Sequence, residues 1–219
     1  MTQIIPAILA TKEEDYSKKL KNIEESGQFE WVQIDLMDNK FVQNKSIGTE
    51  IIAKYKEPSL KIEAHLMVQD PLFYVEDLIK IGVKRVIIPI EIHFKEIDRI
   101  LYMVKDLDIE FGLSLNPETE VSRLDPFLDK LDVVLIMSVH PGFQGQKFVP
   151  ETLEKVKDCA RMRSNNNLDF QIEVDGGVSE KNAKGIVESG ADILVIGSAL
   201  YKYDTLKEAK EKFLEVLNG

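Results

Sequence analysis

The chain is predicted to fold as a single (β/α)8 barrel domain spanning residues 1–219, on three observations. Short runs rich in Val, Ile and Leu alternate with amphipathic stretches from end to end, and the runs mostly lack a period of two. Strands covered on both faces read this way, and such alternation implies a parallel sheet. Eight strand–helix units in 219 residues match the usual length of a closed barrel. An open doubly wound sheet would want a Gly-rich turn after its first strand, and IIPAILATKEED contains no glycine.

Each element has its own justification. The run IIPAIL (4–9) leads into a helical pattern over 12–26, closed by Gly27, which can take the left-handed conformation a helix end wants. WVQIDLM (31–37) is followed by 46–56, and LKIEAHLM (60–67) by 71–81. Pro71 suits a first helical turn and Gly82 a last one. RVIIPI (85–90) precedes 94–106, IEFGLSL (109–115) precedes 119–128, and DVVLIMSV (132–139) precedes 150–164. FQIEVD (170–175) leads to 179–189, which Ser179 with Glu180 and Asn182 opens as a cap and Gly190 follows. DILVIGSAL (192–200) and a helix over 204–217 complete the eight units.

Composition narrows the function classes. At 44% hydrophobic and 30% charged, the chain can bury a full core. A net charge of −10 with no Lys/Arg stripe argues against a nucleic-acid partner. The single Cys159 excludes an internal disulfide or a cysteine zinc site, and its helical setting, KVKDCARMR, reads as structural. MTQIIPAIL has no basic, long-apolar leader, and no run approaches the ~18 apolar residues of a membrane helix. A cytoplasmic protein without a membrane partner is expected.

In a barrel the chemistry gathers at the C-terminal strand ends. Those ends present Asp35, Met37 and Asp38 after strand 2, and His65 and Met67 after strand 3. Strand 6 supplies Met137 and Ser138 and strand 7 supplies Asp175. Glycines fall after strands 6, 7 and 8: Gly142 and Gly145, Gly176 and Gly177, and Gly197 beside Ser198. Glycine lets backbone N–H groups approach an anion, so three such loops together point to a phosphorylated small molecule. Asp35 and Asp175, from opposite sides of an eight-strand ring, suit proton removal on one face of a substrate and delivery on the other. Against this stands the reading that each aspartate caps a helix or pairs with a lysine; for the loop residue Asp38 the two readings balance. Met37, Met67 and Met137 would pack the barrel top or floor a substrate pocket. His93 and His140 are expected to be solvent-facing or structural.

The segments WVQIDLMDNKFVQN, AHLMV, LNPET, MSVHPGFQGQKFVP, IEVDGGVSEKN and GADILVIGSAL resemble the ribulose-phosphate 3-epimerase family, in register from Pro6 to about Leu200. The resemblance implies inversion at C3 of a ketose phosphate, D-ribulose 5-phosphate to D-xylulose 5-phosphate. Asp35 and Asp175 would be its acid and base. The phosphate would lie on Gly142, Phe143, Gln144 and Gly145, on Gly176 and Gly177, and on Gly197 with Ser198. A divalent metal, zinc or a harder ion such as magnesium or manganese, would be held by Asp35, His65 and Asp175. Gln33 stands in the position of the fourth ligand, where the family pattern HVDVMDGHFVPN has histidine. An amide oxygen is a poor replacement for imidazole at zinc, so weakened metal binding is expected. Ala7 replaces the serine of PSIL, Asn39 the glycine of MDG, and Pro89 a histidine after strand 4. These changes open two alternatives: a hexulose 6-phosphate (allulose 6-phosphate) epimerase, or a sugar-phosphate-binding paralogue without turnover. A homo-oligomer with a sugar phosphate as its small-molecule partner is expected.

Overall fold

A computed structural model describes residues 2–55 and 59–219. Its eight parallel strands close in sequence order into one barrel. They are β1 (Gln3–Ile8), β2 (Trp31–Met37), β3 (Lys61–Met67), β4 (Arg85–Pro89), β5 (Glu110–Leu115), β6 (Val133–Met137), β7 (Gln171–Asp175) and β8 (Ile193–Ile196). Around them run α1 (Glu13–Ser26), α2 (Thr49–Lys54), α3 (Pro71–Ile81), α4 (Phe94–Val104), α5 (Thr152–Asn165), α6 (Ala183–Glu188) and α7 (Leu206–Asn218).

The near-continuous apolar strands are explained by burial on two sides. Outward residues such as Ile34, Leu36, Ala64, Leu66, Val86 and Ile88 pack with Leu20, Leu78 and Ile100 of the helices in the principal core. Alternate residues point inward, where Ile5, Ala7, Trp31, Ile193 and Val195 form one cluster and Ile87, Val133, Leu135 and Met137 another. Gly27 and Gly82 end α1 and α3 in the left-handed conformation, at φ 60° and 83°. Pro71 opens α3.

Several helices differ from expectation. The pattern over 119–128 forms two 3-10 turns, Val121–Leu124 and Leu128–Lys130, because Pro126 breaks the run between them. The helix expected over 46–56 is confined to α2, and residue 56 lies outside the described residues. Helix α6 starts at Ala183 rather than Ser179. The Asn182 side chain accepts the Ser179 N–H and donates to the Gly177 carbonyl, so it shapes a turn before the helix. Among the described residues no helix is long and apolar enough to cross a membrane.

Candidate active site

The site is built by register. Asp35 on β2 pairs with His65 on β3, and Met137 on β6 with Asp175 on β7. All four sit at or near the C-terminal ends of their strands and face the lumen. Above them opens a cleft lined by Asp35, Asp175, Met67, Met137 and Ala7. Gly142 through Gly145, Gly176, Gly177, Gly197 and Ser198 complete its wall, so three glycine loops and both aspartates share one mouth. Met37 lies outside that wall, buried against Val42 and Met67.

The polar centre is tightly knit. The Gln33 carboxamide nitrogen donates to Asp35 Oδ1 and to Asp175 Oδ2, each at 2.8 Å. His65 Nδ1 lies 3.2 Å from Asp35 Oδ1 and 3.7 Å from Asp175 Oδ2. Gln33 and His65 are buried, and Asp175 keeps 15% exposure of its side chain toward the cleft. Burial and then the neighbouring Asp35 charge push the Asp175 carboxyl up to about 7, against the opposing pull of His65 and Gln33. Burial alone would depress His65, but Asp35 and Asp175 outweigh it and hold its pKa raised. One carboxyl of the pair is thereby poised to carry a proton near neutral pH.

The same three side chains offer a metal site. One ligand atom each from Asp35, His65 and Asp175 lies within 4.8 Å of the others, a mixed N/O set that suits a divalent ion. Gln33 turns its nitrogen, not its oxygen, toward the carboxylates, and its buried Oε1 has no partner. Its oxygen would become a ligand only after the carboxamide rotates.

Beneath this centre lies a charged layer that sequence reading missed. Arg85, buried at 1% exposure, donates through Nη1 to Glu63 at 2.5 Å and to Glu173 at 3.3 Å. It also donates to Glu110 and Gln171 and stacks over Trp31, 4.4 Å from the ring centroid. The available signal was a glutamate two residues before His65 and another two before Asp175, in KIEAH and QIEVD, on the same inward faces.

Other residues resolve into supporting roles. Partial burial would raise Asp38's pKa, but N–H groups of Gln69, Phe41 and Lys40 overcome that and hold it lowered. Asp38 thus ties the loop after β2 to the loop after β3 and does not line the cleft. Asn39 adopts φ 58°, a conformation asparagine tolerates in place of glycine. The loop after β6 is fastened over the mouth: Asn44 donates to the Gly142 carbonyl at 3.0 Å and Gln144 to the Leu9 carbonyl at 3.2 Å. Ser138 Oγ donates to the Gly176 carbonyl at 2.6 Å, locking the loop after β7 to β6. His93 caps α4 through Nδ1, and the exposed His140 pairs with Glu118 at the cleft rim. Burial pushes the Cys159 thiol up to about 12, so it is unreactive.

The model of the ribulose-phosphate 3 epimerase family matches residues 3–201. The chain belongs to the ribulose-phosphate 3-epimerase family. Membership places it among the isomerases that act on carbohydrates. Its relatives in the family include the ribulose-phosphate 3-epimerase of Bacillus subtilis (strain 168), 35% identical over 95% of this chain and 96% of that protein. The one from Synechocystis sp. is 35% identical over 94% of this chain and 90% of its own length. The Escherichia coli (strain K12) protein is 37% identical over 81% of this chain and 79% of its own length. A solved 3-hexulose-6-phosphate synthase from Salmonella typhimurium superposes with a TM-score of 0.73 at 16% identity, covering 99% of both chains. At that identity the likeness is one of fold.

Proposed function

We propose that the chain inverts C3 of a ketose phosphate, converting D-ribulose 5-phosphate to D-xylulose 5-phosphate, with Asp35 and Asp175 as the two proton-transfer groups. The observation that carries this reading is the carboxylate pair at the foot of the glycine-lined cleft, bound to one carboxamide at 2.8 Å on each side. One carboxylate takes the C3 proton, and the electron pair left behind is delocalised onto the adjacent carbonyl as an enediolate. The other carboxyl returns a proton to C3 from the opposite face, and the net change is inversion. Asp175, with its pKa near 7, is the member suited to hold and give the returning proton in one direction and to take it in the other.

The phosphate end would lie against Gly142 to Gly145, Gly176, Gly177, Gly197 and Ser198. Positive φ at Gly142, Gly145, Gly176 and Gly177 supports this, because such backbone can turn N–H groups toward an anion. Met67 and Met137, which line the same cleft, would supply apolar contact to the sugar. Asp35, His65 and Asp175 would hold a divalent ion, zinc, magnesium or manganese, with Gln33 a weak fourth ligand at best in its present orientation. When bound, such an ion supplies Lewis-acid stabilisation of the negative charge developing on the substrate oxygens.

A second substrate, a hexulose 6-phosphate, is favoured by one observation: Ala7 lines the cleft where the family pattern has a bulkier serine. The retained carboxylate pair argues against a protein that only binds sugar phosphates. Proton–deuterium exchange at substrate C3, followed by NMR on pentulose and hexulose phosphates with and without divalent metal, decides among these. Exchange on neither sugar under any metal condition would reject the epimerase reading.

A further inference from the structure

We infer that Gln33 is a positioning residue whose carboxamide holds Asp35 and Asp175 together, so that the acid–base pair is assembled before any cation binds. The inference rests on the epimerase reading above and adds to it the means by which this chain keeps its pair in place. Gln33 lies on β2, two residues before Asp35, and Asp175 comes from β7, which is not a neighbour of β2 in the barrel. The Gln33–Asp175 bond therefore reaches across the lumen from β2 to β7, while the Gln33–Asp35 bond runs along β2, and both lie at the level of the reacting groups.

Three features show that the amide is aimed at the carboxylates. The carboxamide nitrogen can donate to both carboxyls even when one of them carries a proton, whereas its oxygen, turned inward, would accept only from the protonated member and meet an acceptor at the other. Its own Oε1 is buried without a partner, so no donor on that side sets the orientation. Hydrogen bonds to charged acceptors are also the stronger kind, and here Gln33 and Asp35 are buried while Asp175 is only slightly exposed. A histidine at this position could not make the same bridge. Its two N–H groups sit on opposite sides of the ring, whereas one carboxamide nitrogen carries two hydrogens that reach two acceptors.

A consequence follows for metal dependence. The nitrogen lies between two of the three donors that a cation would use, so a cation must displace the bridge or accept fewer protein ligands. The chain should tolerate metal removal, because its carboxylates are held by a neutral side chain.

The test compares wild type, Gln33→Met and Gln33→His, each stripped with chelator and each reloaded with zinc. C3 exchange gives kcat and KM, and circular dichroism with thermal melting checks folding. Stripped wild type should keep kcat within about tenfold of the zinc-loaded protein. Gln33→Met should lose at least ~10²-fold in kcat through misplacement of the pair. Its KM should stay within about twofold, because the phosphate end would be held by glycine-loop backbone that Gln33 does not bond. Stripped Gln33→His should be as slow as Gln33→Met and recover with zinc, which imidazole ligates well. A readout independent of turnover is the side-chain NH₂ resonance of Gln33 in stripped wild type. It should exchange slowly with solvent and be the resonance missing from Gln33→Met. Stripped wild type without exchange that zinc restores, Gln33→Met with wild-type kcat, or a Gln33 NH₂ in fast exchange would each overturn the inference. If no protein exchanges C3 under any condition, the epimerase reading fails instead, and the NH₂ resonance alone decides whether the bridge exists.

Discussion

Removing Arg85 tests the layer on which the site stands. Its guanidinium is the cation shared by Glu63 and Glu173, both fully buried, and it also meets the half-exposed Glu110. Arg85→Met keeps most of the stem and removes the charge, which leaves Glu63 without a cation at 2.5 Å. Breaking a buried ion pair from one side costs about 3–5 kcal/mol, because the remaining charge stays desolvated. For a chain of this size each kcal/mol lowers Tm by about 2–4 °C, so a fall of about 6–20 °C is expected. The loss of the stacked guanidinium over Trp31 adds to it. Arg85→Met/Glu63→Gln should recover most of the deficit, since the orphaned charge is gone and Gln can still hydrogen-bond. The assay is urea unfolding at neutral pH of chelator-treated protein, single and double variants side by side. A single variant within about 1 kcal/mol of wild type, with no gain from the second substitution, would refute the reasoning about desolvation.

Three further outcomes are expected. Asp35→Asn and Asp175→Asn should each cost at least ~10²-fold in C3 exchange while the barrel stays folded, and near-normal exchange in either folded variant rejects the two-base assignment. Gly177→Ala should weaken the protection of the fold by sulfate or phosphate, because at φ 63° its Cβ would sit 2.6 Å from the Phe148 backbone nitrogen. Gly145→Ala, at φ 75° but with open space around the new Cβ, should be the milder change in the same melting series; equal protection in wild type and Gly177→Ala would remove the loop from the anion site. Burial and then the neighbouring Glu63 push the Glu173 pKa well above its ordinary 4.5, so the stability carried by its protonated form is complete below about 4.5. That stability is lost as pH rises through the raised folded value. Glu173→Gln, neutral throughout, should gain on wild type in unfolding free energy as pH rises above the ordinary 4.5, and identical pH slopes for the two proteins would sink this account.

Much of the fold was readable because strand and helix cover are local matters. Apolar runs of six to nine residues separated by helical patterns report that both faces of each strand are buried, and a parallel barrel is the arrangement that does this eight times over. The strand-end rule then brought Asp35, His65, Asp175 and the three glycine loops to one mouth, and the structure places them there. What the sequence by itself could not decide is which of these groups touch. Gln33 read as a lost metal ligand, yet its nitrogen spans the lumen between β2 and β7. That distance depends on how the barrel closes and staggers, which no periodicity encodes. Arg85, Glu63 and Glu173 come from three strands and appeared as isolated polar residues in apolar runs; only closure makes them one charged layer. Asp38 was balanced between chemistry and capping until the three backbone N–H groups around it were in view. Local pattern sets which side of a strand a residue occupies, and tertiary closure sets its partner, because the partner lies many residues away and a few ångströms across the barrel.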